Sequence, residues 1–321
     1  MRFGALLGAV VAAILGCAMM ISHQTRHIHD RGERVVVTGA SSGIGEQIAY
    51  VHASKGARLV IAARREADLK RVAKKCIDLG ALSARVVVAD FADPSASALL
   101  VKEAAEEFQG SLDYLYLNHA WLKRDDWVGG EAEELEALQG RMAQVNYFSF
   151  TSLAKRAMPL LEAASGGGRI IVSSSGAGRA PVHTQTTYCG LKHALHGFFG
   201  SLRQDLMAAH SSVSITIVVI GFIDTEGARE STKGAFSFVK MARADDTANA
   251  MVNAAARRSP VTSYPAGQIA TQRFFSLVAP YSLYDALIVV NAQSRPCANV
   301  PDALKIFSCL GDILRLTGWM S

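Results

Sequence analysis

Residues 34–45 read Arg34-Val35-Val36-Val37-Thr38-Gly39-Ala40-Ser41-Ser42-Gly43-Ile44-Gly45, and this stretch decides the fold. Its first five residues are almost all β-branched and predict a buried strand. The glycines that follow suit a tight turn, which needs positive φ, and a close backbone approach that a Cβ would block. A helix beginning here would offer its first N–H groups and its positive dipole end to a phosphate. At this place in an α/β pattern, such a loop predicts nucleotide binding, by Gly39, Ser41, Ser42, Gly43, Ile44 and Gly45.

Downstream of this loop, short apolar runs alternate with longer segments of helical periodicity. The predicted strands are Arg34–Thr38, Arg58–Ala62, Arg85–Ala89, Leu112–Leu117, Arg169–Ser173, Ser214–Ile220 and Val261–Tyr264. The helical segments include Glu66–Leu79, Ser95–Phe108, Glu131–Leu161 and Tyr188–Ala209. Strands that are apolar throughout are typical of a sheet covered on both faces. We therefore expect one doubly wound, Rossmann-like α/β domain at residues 34–265, with a parallel sheet of about seven strands.

Composition excludes several classes of protein. Of the 321 residues, 50% are hydrophobic and 19% charged, with 27 Gly and 8 Pro, which is incompatible with a disordered or collagen-like chain. The net charge of +5 is spread without a basic run, so nucleic acid is not indicated as a partner. Five cysteines without CxxC spacing argue against a zinc site or a disulfide framework and favour buried free thiols, with one bridge such as Cys297–Cys309 left open. No metal site is predicted.

The N-terminus differs in kind from the rest of the chain. Phe3–Ile21 contains nineteen uncharged residues, long enough as a helix to span the roughly 30 Å hydrocarbon layer. We interpret residues 1–24 as a membrane anchor and residues 25–33, which include His27 and His29, as a solvated stalk. The alternative is a cleaved signal peptide with a site near Gly16-Cys17-Ala18, which would yield a secreted protein. Flanking arginines are too evenly divided to indicate orientation.

Residues 266–321 form a separate, aromatic-bearing segment. Helical patterns around Phe274–Val290 and Leu304–Leu316 suit core packing or a dimer interface. Shallow insertion into a membrane surface is the other interpretation.

The end of the second strand bears on cofactor choice. An acid there would accept from the ribose 2′-hydroxyl of NAD, but this chain has Arg64 and Arg65. A guanidinium can neutralise the 2′-phosphate of NADP with a planar, bidentate fork. The pattern therefore favours NADP(H), with Arg64 as the phosphate partner.

A second motif carries chemistry. Tyr188 and Lys192 are four residues apart and share one face of a helix. An ammonium group near the phenol favours phenolate, which moves a pKa of about 10 toward the working range of an acid/base catalyst. Ser175 closes a strand thirteen residues before Tyr188, where its hydroxyl could bond a substrate oxygen.

Across residues 33–265 the chain resembles the short-chain dehydrogenase/reductase family. The matching pieces, in order, are Thr38-Gly39-x3-Gly43-x-Gly45, Asn118, Asn146, Ser175, Tyr188 and Lys192. The resemblance implies that Tyr188 is the acid/base and that Ser175 polarises the reacting oxygen. It also implies that Lys192 holds the nicotinamide ribose and lowers the pKa of Tyr188, and that Asn146 supports a water-linked proton relay. The remaining cofactor contacts that it implies are Asp90 near the adenine, Thr225 near the carboxamide, Asn118, His119 and Ile223.

Within that family the chain is similar to the 11β-hydroxysteroid dehydrogenase type 1 group. The similar segments are Leu117–His119, Lys75–Ala81 and Ile220–Glu226, together with the apolar N-terminus. This similarity implies a hydroxyl/ketone oxidoreductase of steroids, anchored in the endoplasmic reticulum membrane with a lumenal catalytic domain, and a homodimer. Reduction of retinoid or other lipid carbonyls, and a non-catalytic NADP-binding scaffold, are the alternatives. One departure matters below: Ser42 stands where many NADP enzymes of the family carry a basic residue.

Overall fold

The computed structural model describes residues 32–232 and 241–278. The predicted membrane anchor, all but the last two stalk residues, and residues 279–321 lie outside this range, as do Cys17, Cys297 and Cys309. Within the range, no helix is both long and apolar enough to cross a membrane. The two cysteines inside it, Cys76 and Cys189, are buried free thiols, as predicted.

Seven parallel strands form the central sheet in the order β3-β2-β1-β4-β5-β6-β9. The strands are β1 (Arg34–Thr38), β2 (Arg58–Ala63), β3 (Ser83–Val88), β4 (Tyr114–Leu117), β5 (Arg169–Ser175), β6 (Ser214–Ile220) and β9 (Val261–Tyr264). The chain order reverses direction between β1 and β4, which is where open α/β sheets bind their ligands. The predicted doubly wound architecture is confirmed.

Helices cover both faces of this sheet. They are α1 (Gly43–Ala53), α2 (Glu66–Asp78), α3 (Ala96–Glu107), α4 (Ala132–Ala143), α5 (Ser149–Glu162), α6 (Thr186–Ala208), α7 (Glu226–Thr232), α8 (Ala244–Ala256) and α9 (Ala266–Val278). Side chains of α3, α5 and α6 pack with one face of the sheet, and those of α1, α2 and α8 with the other. The inner strands are therefore buried on both faces, whereas the edge strands β3 and β9 are largely half-exposed.

The structure also corrects some predicted boundaries. Strand β4 begins at Tyr114, because the Leu112 N–H is already bonded to the Leu160 carbonyl at 2.8 Å and cannot join the sheet. Strand β5 runs two residues further than predicted, since Ser175 still pairs with Ile220.

Two features were not predicted. The long helix expected at Glu131–Leu161 is interrupted by a π-helical turn at Gln144–Phe148. In addition, β7 (Ile223–Asp224) and β8 (Ala242–Arg243) form a two-stranded parallel sheet. Neither a one-turn change of helical pitch nor a two-residue strand leaves a periodic signal in the sequence.

Candidate functional site

The turn from β1 into the first residues of α1 requires glycine at Gly39 and Gly45. Gly39 has φ +68°, and a Cβ there would lie 2.8 Å from the Cα of His119. A Cβ on Gly45 would lie 2.3 Å from the Gly39 carbonyl oxygen and 2.8 Å from the Asn118 Nδ2. The loop thus passes close to the chain that follows β4, and α1 starts directly against the end of β1.

This loop fits the pyrophosphate of a dinucleotide. Ser42 is the N-cap residue of α1, but its side chain makes no capping hydrogen bond. The first-turn amides of α1 therefore remain for a ligand, and the positive end of the helix dipole favours an anion. The methyl group of Thr225 closes the other side, 3.1 Å from where a Cβ of Gly43 would stand.

The two arginines after β2 differ in their surroundings. Arg64 is exposed at the strand end. Arg65 folds over the loop and donates to the Ser42 hydroxyl at 2.7 Å and to the Ser41 hydroxyl at 3.3 Å. It also forms salt bridges with Asp68 and Glu226, at 3.0 Å and 3.6 Å. The structure therefore places a guanidinium beside Ser42, the position at which the sequence lacks a basic residue.

Ser175, Tyr188 and Lys192 come together at the carboxyl end of β5. Ser175 is the last residue of that strand, and Tyr188 and Lys192 occupy the first two turns of α6. The Ser175 hydroxyl is near enough to the Tyr188 phenol to lower the pKa of that phenol by hydrogen bonding. Lys192 Nζ lies 5.5 Å from the centroid of the Tyr188 ring and donates to the Ser173 carbonyl at 2.9 Å. The predicted juxtaposition of these three side chains is thus present.

Burial shifts the pKa of two groups in this cluster. Desolvation raises the pKa of Tyr188 to about 12, while the hydrogen bond from Ser175 lowers it. Burial also lowers the pKa of Lys192 to about 7, because the ammonium group is desolvated. Burial thus moves the pKa of the phenol upward and that of the ammonium group downward, and the lowering of the Tyr188 pKa by Lys192 stays a prediction.

Asn118 connects three elements beneath the site. Its backbone N–H donates to the Thr38 hydroxyl at 2.9 Å, and its side-chain oxygen accepts from the Ser173 hydroxyl at 3.0 Å. The ends of β1, β4 and β5 are thus held in one register. Thr38 entered the prediction only as the first residue of the glycine motif, and Ser173 was not among the predicted site residues; its only sequence signal was its position near the end of a strand.

His119 lies behind the glycine loop and is buried. Its Nδ1 is 2.8 Å from the Thr38 hydroxyl, and its Nε2 is 2.7 Å from that of Ser149. Its ring stacks on Phe91 with the centroids 3.9 Å apart. Burial lowers the pKa of His119 to about 3, so the imidazole is neutral. These contacts fix the position of His119 behind the glycine loop.

Asn146 sits in the π-helical turn, fully buried. Its side-chain oxygen accepts from the Trp121 N–H at 3.0 Å, and its amide nitrogen donates to the carbonyls of Trp121 at 2.7 Å and Met142 at 3.0 Å. The side chain is bonded to backbone groups and holds the loop after β4. Its part in a water-linked proton relay stays a prediction.

The remaining predicted contacts border the same edge of the sheet. Asp90 follows β3, is exposed, and lies 4.0 Å from the guanidinium of Arg141. Ile223 is buried in β7, and the Thr225 hydroxyl accepts from the Ala228 N–H at 3.2 Å. Among the residues of ranges 32–232 and 241–278, no group of three or more His, Cys, Asp or Glu is placed to hold a metal ion.

Comparison with known proteins agrees with this geometry. The family profile described as short chain dehydrogenase matches residues 33–235. Relatives named hydroxysteroid 11-beta-dehydrogenase 1-like protein, from Gallus gallus and Xenopus tropicalis, are both 42% identical to this chain. The two alignments cover 73% and 72% of this chain and 79% and 78% of the relatives.

Solved structures share the fold. A short chain dehydrogenase from Burkholderia cenocepacia in complex with NADP superimposes with a TM-score of 0.62 at 27% identity, covering 73% of this chain and 95% of that one. A short-chain type dehydrogenase/reductase from Mycobacterium marinum gives a TM-score of 0.64 at 22% identity, covering 74% and 96%.

Proposed function

The chain belongs to the short-chain dehydrogenase/reductase family, a family of NAD(P)-binding oxidoreductases of CH–OH groups, and from this premise we propose that it interconverts a hydroxyl and a ketone on a steroid-like substrate with NADP(H). The observation that carries the proposal is the meeting of Ser175, at the end of β5, with Tyr188 and Lys192, which are one helical turn apart on α6. All three side chains meet at the sheet edge that bears the glycine loop.

In ketone reduction, the Tyr188 phenol donates its proton to the carbonyl oxygen while the Ser175 hydroxyl hydrogen-bonds the same oxygen. In alcohol oxidation, the Tyr188 oxygen takes the proton back. Bound NADPH supplies the hydride, or NADP⁺ accepts it. Lys192 Nζ, with a pKa of about 7, holds or releases a proton near neutral pH, one helical turn from the phenol.

The glycine loop and the two arginines would contact different parts of the cofactor. Gly39, Gly43 and Gly45 would hold the pyrophosphate at the N-terminus of α1. Arg65 supports a preference for NADP because its guanidinium is fixed beside the loop hydroxyls. Arg64, exposed at the same strand end, adds a second positive charge for the 2′-phosphate.

The substrate class rests on the relatives. Their name points to hydroxysteroids. A retinoid or other lipid carbonyl is the second candidate on the same scaffold. A non-catalytic scaffold is disfavoured, because it would have no use for the buried Lys192 beside a tyrosine and a serine.

We also propose that residues 1–24 anchor the protein in the endoplasmic reticulum membrane with the catalytic domain in the lumen, and that the enzyme is a homodimer. The uncharged run Phe3–Ile21 supports the anchor. Protease protection in microsomes tests the orientation. Light scattering in detergent tests the dimer.

The central experiment is single-turnover reduction of an 11-keto steroid and of all-trans-retinal with NADPH, for wild type and Tyr188→Phe. Removing the phenol oxygen should lower the rate at least about 10²-fold, because general acid catalysis is lost while the ring packing stays. Tyr147→Phe is the matched control, since the Tyr147 ring packs against Phe148 and Phe198. Loss of its hydroxyl should leave the rate of reduction unchanged. Normal turnover by Tyr188→Phe would refute the mechanism, and absence of turnover by wild type on both substrates would refute the substrate class.

A further inference from the structure

Helix α6, which carries Tyr188 and Lys192, begins without a cap of its own. Its N-cap residue is Gln185, whose side chain makes no capping hydrogen bond. The first N–H groups of a helix need partners, and an uncapped helix start is less stable. In this protein the partner comes from a distant loop.

Asp125 supplies the cap. One oxygen of its carboxylate accepts from the Thr186 N–H at 2.9 Å, and the other accepts from the Thr187 N–H at 2.7 Å. The carboxylate is buried, with Asp125 only 4% exposed. The carboxyl group accepts both backbone hydrogen bonds at the positive end of the helix dipole.

The backbone of Asp125 holds the residue just upstream as well. Its N–H donates to the Thr184 carbonyl at 3.1 Å. Thr184 has φ +60°, a left-handed conformation that a β-branched residue adopts only when its surroundings enforce it. Asp125 thus bonds both the strained turn and the first helical turn, on either side of Gln185.

The loop that contains Asp125 is fixed at a second point. Asn146 binds both backbone groups of Trp121, four residues earlier. Asp125 therefore extends from an anchored segment, and the start of α6 is tied to the chain that follows β4.

We propose that Asp125 is a positioning residue for the reaction: it holds the first turn of α6 so that the Tyr188 phenol meets the Ser175 hydroxyl. This inference rests on the proposed catalytic function of Tyr188, which is the residue immediately after Thr187. A displacement of about 1 Å at a reacting group can lower a rate about 10²-fold without weakening ligand binding. Asp125 does not touch the reacting atoms, so its effect is exerted through Tyr188.

The test uses the full-length protein in detergent, with NADPH and 9,10-phenanthrenequinone as the probe ketone. Asp125→Asn keeps the shape but replaces one acceptor oxygen by a donor, and Asp125→Ala removes both acceptors. Turnover is expressed per NADPH-binding site, so that loss of folded protein alone leaves it unchanged. We expect a fall of about tenfold for the first variant and about 10²-fold for the second, with NADPH affinity changed less than about threefold.

Asp126→Asn is the matched control. Asp126 is the next residue, is exposed, and accepts from the N–H groups of Val128 and Gly129 within its own loop. Its replacement should leave turnover per site unchanged. Wild-type turnover per site in both Asp125 variants, or a parallel loss of NADPH affinity, would overturn the proposal.

A second readout does not depend on the probe ketone. Hydrogen–deuterium exchange of the NADPH-loaded protein should be faster in Asp125→Asn for the peptide covering residues 183–190 and unchanged for β4 and α5. Unchanged exchange at residues 183–190 would overturn the role of Asp125 even if the ketone is not reduced. Tyr188→Phe, measured in parallel, separates this outcome from failure of the proposed function, since it should abolish turnover without altering exchange.

Discussion

Lys192→Met is the perturbation that most directly tests the electrostatics of the site. Lys192 is 1% exposed, and burial lowers its pKa from 10.5 to about 7 in the folded protein. Methionine fills similar space without a charge. The variant should therefore remove a charge that opposes folding of the cofactor-free protein.

The sign and size follow from proton linkage. Between about pH 7 and pH 10.5 the unfolded chain binds the Lys192 proton and the folded protein does not, so wild-type stability rises with pH through this window. A difference of one bound proton changes the free energy of unfolding by about 1.4 kcal/mol per pH unit. From pH 7 to pH 9 the free energy of unfolding of wild type should therefore rise by about 2 kcal/mol relative to that of Lys192→Met. The lost hydrogen bond to the Ser173 carbonyl contributes equally at every pH and cancels from this slope.

The assay is urea unfolding of the cofactor-free protein in detergent, followed by tryptophan fluorescence at intervals between pH 6.5 and pH 9. The free energy of unfolding of wild type is compared with that of Lys192→Met at each pH. Lys155→Met is the matched control, because Lys155 is exposed on α5. Its replacement should change the free energy of unfolding by the same amount at every pH. A difference between wild type and Lys192→Met that stays constant from pH 7 to pH 9 would show that burial does not destabilise the charge.

Three further outcomes are expected. Gly45→Ala should lower both the melting temperature and NADPH affinity, because its Cβ would lie 2.3 Å from a backbone oxygen. Gly140→Ala, whose Cβ would have nothing within 4 Å, should instead stabilise α4 by about 0.5–1 kcal/mol. Calorimetry measures the melting temperatures and fluorescence titration the NADPH affinities, and equal effects of the two substitutions would contradict the packing argument. Arg65→Glu should weaken NADPH binding much more than NADH binding, and Arg64→Glu should act in the same direction; equal losses for the two cofactors would contradict a 2′-phosphate contact. Deletion of residues 1–24 should release the protein from membranes under alkaline wash, measured by sedimentation, and retention would point instead to a second attachment in residues 266–321.

Much of the fold could be predicted because its signals are local. A strand buried on both faces must be apolar at every position, and a helix shows its face at every third or fourth residue. The glycines of the first loop are required by backbone conformation and by a contact of the loop with itself. The predicted strands and the doubly wound parallel sheet followed from these signals, and the main errors were the π-helical turn and the two-residue strands β7 and β8.

The sequence predicted which residues make up the site but not the hydrogen bonds that they form. The spacing of Tyr188 and Lys192 places them on one helix face, yet it does not reveal that Lys192 bonds the Ser173 carbonyl and has a lowered pKa. That outcome depends on how completely the surrounding elements exclude water from the ammonium group.

The sequence by itself determined the parallel sheet, the glycine loop at its centre and the identities of the tyrosine, lysine and serine, because each depends on residue type at short spacing. The tertiary structure alone decided which polar groups meet: Arg65 with Ser42 across 23 positions, Asn146 with Trp121 across 25, and Asp125 with Thr186 across 61. The physical reason is that a hydrogen bond depends on distances of about 3 Å between atoms, which packing of distant elements sets and periodicity does not record.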